Sequence, residues 1–437
     1  MKKSIGSIFL AFVLLTVLVS GCSPAATTVP PTVIPTGIPS PTSIPPTFTP
    51  EPSATATIIP TVTATPFVPK ATIKIVSQSP LSGDQAAAGI NIQRAVQLAV
   101  AQLAGPLQDL GYKIEYDAYD DQASIEPAVK NAKEIVADPQ VLCGVGHYNS
   151  GITLSASGFY HLAGLAFISP SNTTPKATSN GFLEINRALG RDDVMGAAGA
   201  KFAQAQAFKS VFVVRNSDDW INLVVNGFVK EANKLGIKIA GNYVASDGGG
   251  NFEAIINSLM KTNADMVYYG GSINQAGPFF KQARLAGYTG TLMTFYGTSD
   301  LIDEASALAL EGGGLYYTDT GLPASYYPGA TKFVQDFQAQ FGAAPQPYAA
   351  EAYDAAGICL KAIEQASKAI GGEIPTRHEV VLAIRALKDY AGIAGTYNFN
   401  KNGEQVLGRY FIIKVVSPDP NNWGQNTLAA TIELPAP

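Results

Sequence analysis

The segment 144–151, Gly-Val-Gly-His-Tyr-Asn-Ser-Gly, carries residue types suited to binding a ligand. It follows a short apolar run and precedes a helical pattern, so it is predicted to join a strand to a helix. Free N–H groups and the dipole at such a helix start favour an anion, and Tyr148, Asn149 and Ser150 are the candidate contacts. Ser150 also fits a plain helix cap, and both roles are compatible. A dinucleotide site is disfavoured because Asn149 replaces the third glycine of that fingerprint.

A second polar segment, residues 168–175, follows the next predicted strand. Its prolines stiffen the backbone, and Ser171, Asn172 and Thr173 offer short hydrogen-bonding side chains. The alternative is a plain surface turn. Because ligands of open α/β sheets lie outside the carboxyl ends of strands, we expect these three residues to contact the ligand.

Candidate contacts in the second half of the chain also come just after predicted strands. Trp220 is a large rigid surface for packing on a ligand, with burial in the core as the alternative. Ser272 follows two glycines that permit close backbone approach. Tyr296 follows another strand. We include all three as predicted ligand contacts.

Motifs for catalysis or metal binding are missing from the sequence. It has no Gly-x-Ser-x-Gly elbow and no Walker loop, and His147, His161 and His378 lack metal-ligand spacing. The pair Asp120–Asp121 ends a strand and suits a cation or simple solvation. We predict a binding protein, not an enzyme, with no metal and no cofactor.

Charged residues are sparse, at 14% of the chain, and the formal net charge is −5. Basic residues form no stripe, so nucleic acid is not an expected partner. Cys143 ends an apolar run, and Cys359 lies in an alanine-rich helical pattern. We predict that both are buried thiols rather than a disulfide.

Strand and helix patterns alternate along most of the chain, which is typical of βαβ units and parallel sheets. One series spans 73–168, and a second follows Arg187. Two such α/β units imply a cleft between them. Further expectations are helices at 348–370 and 379–388, strands at 395–399 and 410–416, and a loop from Pro418 onward.

The first residues are typical of an exported protein. Lys2 and Lys3 precede an apolar run, 5–19, that is too short for a membrane span of about 20 residues. The following Ser-Gly-Cys resembles a bacterial lipobox, with an ordinary signal peptide as the alternative. We predict a signal peptide at 1–21, a lipid anchor on Cys22, and a Pro/Thr-rich disordered tether at 22–69.

The chain from Ile73 to Val416 resembles the branched-chain amino acid (Leu/Ile/Val) binding-protein family, the type I periplasmic binding proteins of ABC importers. The order and spacing of several short segments carry the resemblance: 80–83, 119–121, 146–150, 168–170, 173–175, 267–271 and 281–287.

The resemblance implies an α/β fold of two Rossmann-like parallel-sheet lobes joined by three crossovers, with hinge closure around a small solute. The crossovers are expected near 187–190, 317–321 and 392–396. The expected N-terminal lobe is 70–188 plus 319–394, and the C-terminal lobe is 189–318 plus 395–437. A monomer is expected.

The family's ligand contacts are only partly matched. Its carboxylate-binding serine and threonine correspond to Ser150 and Thr173, and its aromatic cover corresponds to Trp220. Tyr296 replaces the glutamate that pairs with the ligand ammonium. Either the ligand is an amide, a urea-like solute or a simple carboxylate, or another acid supplies the charge; the candidates are Asp121, Asp218, Asp219 and Asp300.

These observations predict an extracytoplasmic solute receptor, lipid-anchored to the outer face of the cell membrane. It would bind an amino acid, amide or carboxylate and deliver it to ABC permease subunits. The alternative is a ligand-sensing ectodomain that signals to a membrane partner, because the same fold serves both roles.

Overall fold

Two β-sheets form the framework of the computed structural model, which describes residues 68–245 and 250–437. These residues belong to one compact unit. The predicted signal peptide, Cys22 and all but the last two residues of the predicted tether lie outside the described residues and stay predictions. Among the described residues, no helix combines the length and the apolar character that crossing a membrane requires.

The first sheet is formed by the earlier part of the described chain. Its strands are β1 (Ala71–Ser79), β2 (Tyr112–Asp120), β3 (Val141–Gly146), β4 (Ala166–Ser169) and β5 (Ile185–Arg187). They are parallel and lie in the order β2-β1-β3-β4-β5. The connecting helices are α1 (Ala86–Leu103), α2 (Gly105–Asp109), α3 (Ile125–Ala137), α4 (Ser150–Leu162) and α5 (Lys176–Ser179).

The second sheet starts a new series of alternating elements. Its parallel strands are β6 (Ser210–Arg215), β7 (Lys238–Val244), β8 (Met266–Gly270), β9 (Thr291–Phe295) and β10 (Leu315–Asp319). The helices of this series are α6 (Asp192–Ala205), α7 (Asp219–Lys234), α8 (Glu253–Met260), α9 (Ile273–Leu285) and α10 (Asp300–Ala305).

The rest of the chain serves both sheets. Helices α11 (Thr331–Phe341), α12 (Ala349–Ala369) and α13 (Arg377–Ala386) come first, followed by a hairpin of β11 (Tyr390–Ala391) and β12 (Thr396–Tyr397). Helix α12 packs on α1 and β3 of the first sheet. Strands β13 (Leu407–Val415) and β14 (Thr427–Pro435) then extend the second sheet in the order β14-β13-β10-β9-β8-β6-β7, both antiparallel to their neighbours.

The C-terminal stretch differs from the sequence-based expectation. A loop was expected from Pro418 onward, but β14 pairs with β13 along its whole length. Positions 430, 432 and 434 of this edge strand are partly or fully buried and alternate with exposed ones, but its first three residues are all exposed, so the period-two pattern is short. The long helix expected at 348–370 is confirmed by α12.

The cysteine prediction was wrong. Cys143 on β3 and Cys359 on α12 form a disulfide and are both fully buried. The sequence suggested thiols because each cysteine lies in an apolar element, and 216 residues separate them along the chain. The contact of α12 with β3 brings them together.

The chain passes between the sheets at three places. The first two passages follow β5 and β10, near the expected positions. The third lies between β12 and β13, later than the expected 392–396. Residues 390–397 instead form the hairpin, and Asp354 of α12 accepts hydrogen bonds from Ile393 N, Ala394 N and the Tyr397 hydroxyl.

A buried ion pair connects the first and third passages. The Nε atom of Arg187 lies 2.9 Å from Oε2 of Glu404, and each side chain is only 1% exposed. Arg187 also donates to the carbonyls of Asn172 and Thr174. The passages are further joined by Arg187 N, which donates to Gly403 O.

A buried carboxyl beside the passages makes stability pH-dependent. Glu351 accepts a hydrogen bond from the Tyr327 hydroxyl at 2.5 Å, and burial raises the pKa of Glu351 from an ordinary 4.5 to about 7. Between these values the folded protein binds more protons at Glu351 than the unfolded chain, so this group lowers stability as the pH rises.

The Glu351→Gln variant cannot ionise at this position. Between pH 5 and pH 8, we expect its free energy of unfolding to fall by roughly 2 kcal/mol less than that of the wild type. Urea unfolding of both proteins at the two pH values measures the difference. An equal pH dependence in the two proteins would show that Glu351 does not titrate as its burial requires.

Candidate functional site

A cavity of about 550 Å³ lies where the two sheets and the chain passages meet. Strands β3, β4, β9 and β10 end beside it, as expected for ligand sites of open α/β sheets. Its lining residues are Tyr148, Asn149, Ser150, Ser171, Thr173, Trp220, Tyr296, Gly297, Thr298, Asp319, Pro347 and Tyr348. The structure thus brings together seven of the nine predicted ligand contacts.

The start of α4 forms one wall of the cavity. Asn149 is the N-cap residue and Ser150 the first helical residue, so Ser150 is not itself the cap. The Asn149 side chain donates to Gln85 Oε1 at 2.7 Å instead of capping the helix. The first N–H groups of a helix have no partner within the helix, so this wall suits an anion such as a carboxylate.

The loop after β4 supplies Ser171 and Thr173 to the same wall. Ser171 Oγ lies 3.1 Å from the carbonyl oxygen of His147 and 3.0 Å from that of Tyr148, so it fixes the two strand-end loops against each other. Thr173 lines the cavity as well, and its side chain hydrogen-bonds to Asp192.

The placement of Asn172 and Ser272 differs from the prediction. Asn172 is fully buried behind the cavity, where its amide donates to Thr153 Oγ1 at 2.8 Å, so it supports the loops without lining the site. Ser272 lies at the N-cap position of α9 with an exposed side chain. The chain turns into α9 at this point, and Ser272 is outside the lining.

Trp220 and Tyr296 form an aromatic wall of the cavity. Their rings are nearly parallel, with centroids 6.0 Å apart. Trp220 is 42% exposed, which excludes burial in the core. The Trp220 indole N–H donates to Asp192 Oδ2 at 2.7 Å, and the Tyr296 hydroxyl donates to Asp192 Oδ1 at 2.9 Å. One carboxylate therefore orients both aromatic side chains.

Asp192 was missed by the sequence analysis. It is the first residue of α6 and is 1% exposed. Burial raises its pKa, and the hydrogen bonds from Trp220 and Tyr296 oppose that rise. A glutamate at position 296 would face this carboxylate, and two acids that close do not readily ionise together. The tyrosine at 296 thus fits its neighbour.

The floor of the cavity contains Asp319, Pro347 and Tyr348, which the sequence analysis also missed. Asp319 Oδ1 accepts hydrogen bonds from Thr320 N at 2.7 Å and Gly321 N at 3.2 Å. Burial raises the pKa of Asp319 to about 7 against the effect of these bonds. The segment that follows β10 carries no motif. The one sequence signal for Asp319 is therefore its position at the end of a strand.

Two aromatic residues of the cavity have unusual backbone conformations. Tyr296 has φ of 50° and Tyr348 has φ of 71°, in the left-handed region that bulky residues rarely adopt. Such conformations persist where the surrounding structure enforces them, often at ligand sites. The Tyr348 ring meets the Tyr148 ring edge to face, with centroids 6.1 Å apart.

The four acids considered as partners of a ligand ammonium do not line the cavity. Asp218 caps α7 by accepting from Trp220 N and Ile221 N, whereas Asp219 and Asp300 are exposed. Asp121 is buried and accepts from Ala123 N. Its neighbour Asp120 accepts from protein donors, including Leu81 N at 2.7 Å, so this pair shows no arrangement for a cation.

The fold and the cavity beside the ends of the strands are typical of binding proteins for small solutes. A family model described as periplasmic binding protein matches residues 72–420, and the chain belongs to that family. The family and fold class expected from the sequence are confirmed. Because the family is one of binding proteins, it agrees with the expectation that the chain is not an enzyme.

A curated relative is similar in sequence, and two solved structures share the fold. A leucine-, isoleucine-, valine-, threonine- and alanine-binding protein of Pseudomonas aeruginosa is 29% identical over 340 residues, covering 76% of this chain and 87% of that protein. A leucine-binding protein of Thermotoga maritima has a TM-score of 0.64 at 24% identity, over 82% of this chain and 98% of that one. A solute-binding protein of R. palustris in complex with benzoate has a TM-score of 0.59 at 18% identity, over 82% and 96%.

Proposed function

We propose that the protein is an extracytoplasmic solute-binding lipoprotein of an ABC importer. It binds an amino acid or a related small carboxylate or amide in the cavity. The observation that carries this proposal is the lining itself, which combines a helix start suited to an anion with an aromatic pair from the other half of the chain. The lipid anchor at Cys22 and the permease partner rest on the sequence pattern and on the family.

The named relatives support this range of ligands. The Pseudomonas relative is named for binding leucine, isoleucine, valine, threonine and alanine, and the R. palustris neighbour was solved with benzoate. Both kinds of ligand carry a carboxylate, which the start of α4 suits. The shared requirement points to an anionic group at Ser150 and Thr173.

Closure of the two units on the ligand belongs to the same proposal. The sheet memberships support a first lobe built on β1–β5 with α11–α13, and a second lobe built on β6–β10 with β13 and β14. Three chain passages then form the hinge. Ligand contacts come from both lobes, so a bound solute stabilises the closed arrangement.

Calorimetry with a panel of amino acids, amides and aliphatic or aromatic carboxylates tests the proposed function. We expect saturable, one-to-one binding of at least one panel member without turnover. If the folded protein binds none of them, the transport-receptor proposal fails. Chemical conversion of a ligand would equally contradict it.

Alanine at both Ser150 and Thr173 is expected to weaken binding of a carboxylate ligand by about 2–3 kcal/mol in total, because two hydrogen bonds to a charged group are lost. Titration calorimetry measures the change. Ser155→Ala, on the same helix but outside the lining, is the matched control and should bind like the wild type. Unchanged affinity in the double variant would contradict the assignment of the ligand carboxylate to Ser150 and Thr173.

A further inference from the structure

The charges around the cavity are unequal. Among the twelve described lining residues, Asp319 is the one with a charged side chain, and none is lysine, arginine or histidine. Asp192 lies close by, but its two carboxylate oxygens accept from Trp220 and Tyr296. The acidic group that a ligand meets here favours a cationic group over a second anion, and a bound cation in turn favours the ionised form of Asp319.

The Asp319 carboxylate is held in position with one oxygen left for a ligand. Both hydrogen bonds that it accepts within the protein, from Thr320 N and Gly321 N, go to Oδ1. Oδ2 has no partner among the described residues, and the side chain is half-buried. A carboxylate in this arrangement is a preorganised acceptor, because a cation meets it without reorganising the loop.

Aromatic rings surround the same place. The rings of Tyr148 and Tyr348 lie edge to face and line the cavity with Asp319. Burial, followed by the charge of Asp319, raises the pKa of both phenols, so they stay neutral near pH 7. Neutral tyrosine rings attract an ammonium group through their faces.

We propose that Asp319, flanked by Tyr148 and Tyr348, binds the ammonium group of the ligand. This inference rests on the proposed function, because it concerns the same cavity. The acid that pairs with the ligand ammonium is then Asp319, and not the residue at position 296, where Tyr296 donates to Asp192. The substrate class is then a zwitterionic amino acid, with its carboxylate at the start of α4, and not an amide or a simple carboxylate.

Three probes that share the isobutyl group of leucine test the two ligand charges one at a time. They are L-leucine, 3-methylbutylamine, which lacks the carboxylate, and 4-methylpentanoate, which lacks the amine. We expect the full-length wild type to bind leucine most tightly and 4-methylpentanoate most weakly in titration calorimetry. Asp319→Asn keeps the Oδ1 acceptor and should weaken leucine and the amine by about 30-fold, with no loss for 4-methylpentanoate. Asp300→Asn removes an exposed, non-lining carboxylate and should bind all three like the wild type.

A second variant keeps the test decisive if Asp319→Asn does not fold. Tyr148→Leu leaves the Asp319 loop intact and should weaken leucine and the amine by about fivefold, but not 4-methylpentanoate. Wild-type binding of leucine that neither variant weakens would overturn the Asp319 assignment alone. Tighter wild-type binding of 4-methylpentanoate than of leucine would overturn the substrate class. Absence of wild-type binding to every panel member and probe would overturn this inference together with the proposed function.

Discussion

The free energy of unfolding of the Glu404→Gln variant is expected to be about 3–5 kcal/mol lower than that of the wild type. Glu404 is paired with Arg187 at 2.9 Å, and both side chains are 1% exposed. Thr178 Oγ1 donates to the same carboxylate, and Arg191 lies 3.5 Å away from it. Glutamine leaves the Arg187 guanidinium buried without its counter-charge, which is the costly half of a broken buried pair.

Urea unfolding of the wild type, Glu404→Gln, Arg187→Met and the double variant measures this cost. The double variant should lose less than the sum of the two single variants, because it leaves no buried charge unpaired. Lys130→Gln disrupts an exposed pair with Glu134 and should cost less than about 0.5 kcal/mol. A loss in Glu404→Gln as small as that of the Lys130 control would contradict the buried pair.

Reducing the Cys143–Cys359 disulfide is expected to lower the free energy of unfolding by about 4–5 kcal/mol. The bond closes a loop across 216 residues, and the loss of chain entropy in the unfolded state grows with loop length. The stabilisation thus acts chiefly on the unfolded chain. Urea midpoints with and without a thiol reductant measure it.

Variants separate this disulfide from the third cysteine. The double variant Cys143→Ala/Cys359→Ala should reproduce the effect of the reductant and should itself be insensitive to it. Cys22→Ala is the matched control, since the sequence places Cys22 before the folded part. If the reductant destabilises the wild type and the double variant equally, the bond contributes nothing to stability.

The fold was largely predictable because its signals are local. Apolar runs of strand length alternate with helical periodicity, and this pattern predicts parallel sheets wherever it recurs. The same logic placed Ser150, Thr173, Trp220 and Tyr296 at one cavity, since each follows a strand. Ser272 follows a strand too, but the turn into α9 puts it outside.

What the sequence did not predict depends on contacts between distant segments. Asp319 ends β10 and Tyr348 precedes α12, both without a motif, and the role of Asp192 follows only from its hydrogen bonds to Trp220 and Tyr296. The first three residues of β14 are all exposed, and they belong to the strand through their pairing with β13. Propensity cannot report such interactions, because tertiary contacts create them.

The disulfide also bears on the order of events when a ligand binds. Cys143 lies on the strand that leads to Tyr148, and Cys359 lies on the helix that follows Tyr348. The covalent bond therefore holds Tyr148 and Tyr348 of the proposed ammonium site on one rigid surface, to which Asp319, Trp220 and Tyr296 of the other sheet do not belong. We expect the rigid half to set how fast a solute is captured, and the aromatic pair to set how long it stays.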